Sequence, residues 1–237
     1  MLRTHSFLML AGLLLVVAGC NPTSQDGAER PSSTKTTMAA PASPANDTLL
    51  AAASPFEDLT EFAEAGDVRG MERALASIKQ HLPSAKAVLG DTPKAYLDSL
   101  VTDIEEAFGN GEYRTVALLA VEAYRTLISA LDESAMVVPK AVSLLDYAGF
   151  KLHVLAGADA PDWDLMQRVV QEADGFWNSI EGQIDEKGLR DAMNTAIQGM
   201  KEALSARDAR LMAFAARVDL DLVDLLETYF EDHPQRP

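Results

Sequence analysis

Glu122, Asp146, His153, Asp219 and Asp221 are the ionisable side chains that a helical pattern would carry toward the inside of the protein. Carboxylates and imidazole are ligands of divalent cations, and in helical bundles such ligands project from facing helices. Asp146, Gly149 and His153 share one stripe, because seven residues bring a helix back to within about 20°. Gly149 leaves room on that stripe for a ligand or a neighbouring helix. The Asp146 and His153 side chains start about 10 Å apart along the axis, so one ion would need further ligands from other helices. The same stripe also reads as a polar packing seam, or as the one solvated edge of a buried helix.

Glu122 is the single acid between Glu112 and Asp132, in a stretch that is apolar almost all round. A buried carboxylate has to be paired or hydrogen-bonded, and Arg125, one turn on, is its local partner. In the last helix, Asp219 and Asp221 flank an apolar seam of Leu211, Phe214, Ala215, Val218, Leu222, Leu225 and Tyr229. Arg217 and Asp221 have the spacing of an i,i+4 pair. Asp224 and Glu227 point further out and are expected in solvent. Trp163 and Trp177 are candidates to line a ligand pocket, with core packing as the alternative for Trp177 and a helix-end contact for Trp163. Of the remaining histidines, His81 closes a helix and His233 lies in the polar tail.

Signatures of catalysis are missing. There is no Gly-x-Ser-x-Gly, no His-Glu-x-x-His, no phosphate-binding glycine loop and no EF-hand loop. The Glu-x-x-His spacing of di-iron carboxylate bundles does not occur, and Gly149 to His153 does not meet the Gly-x-His-x-x-Glu motif of imelysin-type envelope proteins. One cysteine excludes an intramolecular disulfide and a cysteine-based zinc cluster. No enzyme activity is expected, and a divalent metal only at the carboxylate–histidine set above.

The elements that must position these groups are helices. From Pro55 the chain alternates apolar residues three and four apart, and Gly66, Pro83, Gly109-Asn110-Gly111 and Gly157 to Pro161 punctuate the runs. Pro55, with Glu57 and Asp58 behind it, reads as a helix start with acids in the first turn. The helices near 112–131 and 139–156 are apolar on most sides, which makes them central. The expectation is an all-α, up-and-down antiparallel bundle of seven or eight helices over 55–237, behind a disordered tether.

That tether, residues 20–54, is rich in Ser, Thr, Ala and Pro and has no helical or strand period. Ahead of it, residues 1–19 carry Arg3 and then an unbroken apolar run from Phe7 to Gly19. The run is shorter than the roughly 20 residues needed to cross a bilayer and has the form of an export signal. It ends in Val17-Ala18-Gly19-Cys20, which resembles the lipobox of bacterial lipoproteins. The resemblance implies cleavage before Cys20, acylation of its thiol and new amino group, and no cofactor beyond that covalent lipid. It implies a lipid-anchored envelope protein with the membrane as a partner. Asn21, where enteric-type sorting would place an inner-membrane aspartate, favours the outer membrane, facing the periplasm.

The chain carries 20 Lys+Arg against 36 Asp+Glu, and its formal net charge is −16. Such acidity excludes nucleic acid as a partner, since a phosphate backbone must be met by excess base. The first functional expectation is a non-catalytic binding or assembly-accessory domain with another envelope protein as partner. The alternative is a solute- or metal-binding lipoprotein using the inward carboxylates and histidine. An envelope hydrolase comes third and would need a cleft holding a perturbed acid.

Overall fold

Pro44 starts a helix well before the pattern at Pro55 suggested one. In the computed structural model, which describes residues 43–234, helix α1 runs Pro44–Ala65. Ser43 caps it by accepting from the Asn46 N–H at 3.3 Å, Pro44 sits in the first turn, and Asp47 lies at the positive end of the dipole. Residues 44–54, assigned to the tether by composition, are therefore a packed part of the fold, with Leu49, Ala52 and Ala53 buried. The prolines misled the reading. Pro44 is where a helix tolerates proline, and Pro55 inside α1 only frees the Ala51 carbonyl. His81 answers that carbonyl from Nδ1 at 3.2 Å. Asn46 pins the start of α1 by exchanging two hydrogen bonds with the backbone of Asp132, at 2.8 and 2.9 Å.

Seven further helices follow: α2 (Val68–Val88), α3 (Asp91–Gly109), α4 (Tyr113–Ser129), α5 (Lys140–Ala156), α6 (Trp163–Ile180), α7 (Lys187–Ala206) and α8 (Ala209–Asp232). Gly66, at φ 65°, ends α1 as its type suggested, and Asp67 caps α2. Helix α2 continues through Pro83 rather than stopping there. The described residues contain eight helices and no strand, so the protein is an all-α helical bundle. None of these helices is long and apolar enough to cross a membrane.

Two groups of four helices pack in the same order. Helix α1 lies on α2 and α4, with α3 on α4; α5 lies on α6 and α8, with α7 on α8. The groups join where α4 meets α5. Those are the two helices whose sequences are apolar on most sides, and the core runs through them: Val116, Ala120 and Leu127 of α4, and Val142, Leu145 and Leu152 of α5, are fully enclosed.

Helix α8 is turned relative to the sequence reading. Its buried face is Met212, Ala216, Asp219, Val223, Leu226 and Phe230. Phe214 and Leu225, expected in the seam, are 67% and 55% exposed. The helix carries apolar residues on two faces, so periodicity could not choose between them. Helix α5 chooses, through Gly149. A Cβ there would stand 2.7 Å from Asp219 Oδ2 and 2.8 Å from Leu220 Cδ2, so only glycine lets this face of α8 come down on α5. Asp219 is consequently central in the buried face rather than on its flank.

Candidate functional site

A cleft of about 300 Å³ opens between α1 and α8 over α5. Glu57, Asp58 and Glu61 come from α1, Asp146 and Phe150 from α5, and Val223, Asp224 and Glu227 from α8. Asp146 and Phe150 stand four apart on α5, and Val223, Asp224 and Glu227 lie within one turn and a residue of α8, so one face of each helix is presented. The lining holds six carboxyl groups, no base, and only two apolar side chains.

Behind the cleft the charges are unusually close. The carboxyl of Glu57 is in hydrogen-bonding range of Asp146, and it also meets the hydroxyl of Tyr124 from α4. Two carboxyls bond to each other only if one keeps a proton. Burial raises the pKa of Glu57, and its hydrogen bonds to Asp146 and Tyr124 offset part of that rise. Burial also pushes Asp146 well up, reinforced by the negative charges of Glu57, Glu227 and Asp219. Glu227, at the rim, is raised to about 7 by burial and by Glu57, Asp224 and Glu231. Tyr124 lies well above the usual phenol range, by burial and then by Asp146 and Glu57, so it remains a neutral donor to Glu57. Burial, reinforced by the neighbouring negative charges, is what raises these groups.

One turn away along α8, Asp219 is completely enclosed, and neither of its oxygens has a hydrogen-bond partner among the described residues. Burial alone drives its pKa well above the carboxylate range. It is pressed against Gly149, where burial disfavours its charged form.

The residues singled out from sequence do not converge on one ion. Asp146 and Asp219 lie near each other. His153 lies two turns along the same stripe of α5, outside the cleft lining, with Nε2 3.8 Å from Glu64 and Nδ1 3.3 Å from the Ala213 carbonyl. Asp221 is at the surface and pairs with Arg217 at 3.6 Å, as its spacing predicts. Glu122 is not paired with Arg125. It binds the ammonium of Lys151, a buried residue of α5, and lies 3.5 Å from the Tyr147 hydroxyl. Arg125 reaches instead across to Glu172 of α6 at 3.0 Å, and donates to Tyr147 at 2.8 Å with its guanidinium over the ring. The buried ammonium needs a counter-charge more than the half-exposed guanidinium does, and this decides the pairing. Among the described residues no group of three or more His, Cys, Asp or Glu is arranged to hold a metal ion. Trp177 is core, 1% exposed, with Nε1 donating to Asn194 at 2.7 Å, and Trp163 packs half-buried against the core; neither lines the cleft. Cys20, residues 1–19 and most of the 20–54 segment lie outside the described residues.

Sequence reasoning missed Glu57 and Glu227. Once α1 is traced from Pro44, Glu57 becomes a mid-helix acid between buried Phe56 and Leu59 rather than a first-turn one. Glu227 stands four residues from Val223 and directly after Leu226, both core positions. An acid in step with a core series was the available signal.

The chain matches no protein-family model, no curated protein and no solved structure.

Proposed function

We propose that the protein is a lipid-anchored envelope protein, held through Cys20, whose helical bundle binds a small organic cation in the cleft between α1 and α8. The Val17-Ala18-Gly19-Cys20 sequence supports the anchor, and labelled palmitate is expected to enter the wild type but not Cys20→Ala. A single observation carries the binding reading: six carboxyls line a cleft whose walls, among the described residues, hold no positive charge. An ammonium supplies that charge and donates to carboxylates as it does so. A cavity of this size suits a diamine or a similar solute. This favours the solute-binding expectation over protein assembly for this face of the molecule, and an organic cation over a metal.

Binding then displaces the proton of Glu227, raised to about 7, so affinity rises with pH across the neutral range. Calorimetric titration of the full chain with 1,4-diaminobutane, in two buffers of different ionisation enthalpy, is expected to show saturable binding with net proton release. Glu57→Gln is expected to weaken it roughly tenfold, about the effect of one charge-assisted hydrogen bond, and Asp221→Asn to leave it unchanged. No heat, or equal affinity in Glu57→Gln, overturns the reading. Two carboxyls sharing a proton can also activate water. Hydrolysis of fluorogenic peptide, ester or glycoside substrates at pH 5 that disappears in Glu57→Gln would instead establish a hydrolase.

A further inference from the structure

The face of α8 that the fold leaves unused is a second apolar surface, on a different flank of that helix from the cleft. Phe214 and Leu225 are 67% and 55% exposed. Eleven residues separate them, which places them about 16 Å apart along the axis and within about 20° of one another around it. Val218 and Leu222 lie between them on the same stripe, half-buried. Lone exposed apolar residues are ordinary, but a stripe three turns long on one helix is not. Beside its C-terminal end, α7 presents the small residues Gly188 and Ala192, and α7 and α8 enclose a groove of about 390 Å³ whose apolar walls include Leu189, Leu222, Leu225 and Tyr229. Glu186 and Asp232 stand on the rim, and no lysine or arginine lines it.

We infer that this stripe and groove dock an amphipathic helix of another protein, one with an apolar face flanked by lysine or arginine. A helix lays anchors three, four and seven residues apart into such a channel, and three turns of contact match the length from Phe214 to Leu225. The small residues of α7 let a helical backbone come close. Charge selects the occupant. The rim acids attract basic flanks, whereas a second copy of this chain brings the same acids and its own net charge of −16. The docking surface does not depend on what the cleft binds, and Glu57 takes no part in it.

The probe is a fluorescein-labelled helical peptide of about 18 residues, with leucines on one face and lysines on its flanks, long enough to cover three to four turns. It is titrated by anisotropy into the full chain carrying Cys20→Ala, so that no lipid competes for the apolar surface. Saturable binding is expected, weakened at least roughly tenfold by Phe214→Glu with Leu225→Glu, as for loss of central apolar anchors. The added acids would tighten a purely electrostatic complex, so weakening reports the apolar contact. Glu186→Lys with Asp232→Lys is expected to weaken binding too, and Glu57→Gln to leave it unchanged. Phe214, Leu225, Glu186 and Asp232 are exposed or on the rim, and an unchanged melting temperature certifies folding. Binding that persists or tightens in the Phe214→Glu, Leu225→Glu chain overturns the inference. So does light scattering that shows a dimer dissociated by those substitutions, because a second copy would then be the occupant.

Discussion

Asp219→Ala is expected to stabilise the bundle, and to do so by more at pH 8 than at pH 5. The side chain is enclosed, and neither oxygen has a partner among the described residues. An unsatisfied buried polar group costs about 1–3 kcal/mol, and alanine removes it while leaving only a small void against Gly149. Its pKa is raised by burial in the folded state. The folded form therefore holds a proton that the unfolded form releases near pH 3.9. Stability associated with this group is complete below that value and declines as pH climbs toward the folded pKa. The decline reaches about 1.4 kcal/mol per pH unit while the native state keeps the proton and the unfolded state does not. Urea denaturation of the full chain at pH 5, 6.5 and 8 should show the wild type losing stability with rising pH. The variant should lose less, with a residual slope from Glu57, Asp146 and Glu227, whose pKa values are raised in the same direction. A variant less stable at every pH, or one with an unaltered slope, would show that Asp219 is accommodated by an interaction that the fold does not display.

The course of the chain was largely readable because its helices announce themselves locally. Gly66, Gly109 and Gly157 stand at helix ends as their type dictates, and the two stretches apolar on most sides became the central helices α4 and α5. Two failures share a cause in tertiary structure. Pro44 looked like part of the tether and Pro55 like a helix start, but Pro44 occupies the first turn and the carbonyl that Pro55 frees is met by His81, a residue remote in sequence. Helix α8 has two apolar faces, and the choice between them rests on whether α5 admits a close approach at Gly149.

Far less of the cleft was legible. Asp146 was singled out for its place on a mostly buried helix, and it does line the cleft. Its partner Glu57 looked like a dipole-complementing acid only because the start of α1 was misplaced. Glu227 was expected in solvent and is exposed, yet it stands at the rim of the cleft with Glu57. The misplaced start of α1 thus became an error about chemistry. Perturbed pKa values arise from burial and neighbouring charge, and neither can be counted until the helices are placed. His153 fails for the opposite reason. Its type invited a ligand role, yet Glu64 and the Ala213 carbonyl already occupy its two nitrogens.

The polar network on the other side of α5 should respond quite differently to substitution. Lys151→Met is expected to cost about 3 kcal/mol, because breaking a buried ion pair from one side strands the remaining charge. The ammonium lies against Glu122 and donates to Tyr147 at 2.9 Å, and its side chain is 11% exposed against 23% for Glu122. Burial alone would lower the Lys151 pKa, but hydrogen bonds to Glu122 and Tyr147 outweigh that and leave it raised. The lysine is therefore charged throughout the neutral range, and the cost of removing it should be nearly the same at pH 6 and pH 8. That constancy separates it from the carboxyl cluster, whose contribution changes over the same interval. Combining Lys151→Met with Glu122→Gln should recover most of the loss, since no unpaired charge then remains and Arg125 still bonds the Tyr147 hydroxyl. Urea denaturation of the two single variants and the double variant gives the coupling directly. A single-variant cost below about 1 kcal/mol would place the pair among surface salt bridges of little consequence. A double variant no better than Lys151→Met would show that the lysine acts through packing of its aliphatic stem between α4 and α5 rather than through its charge.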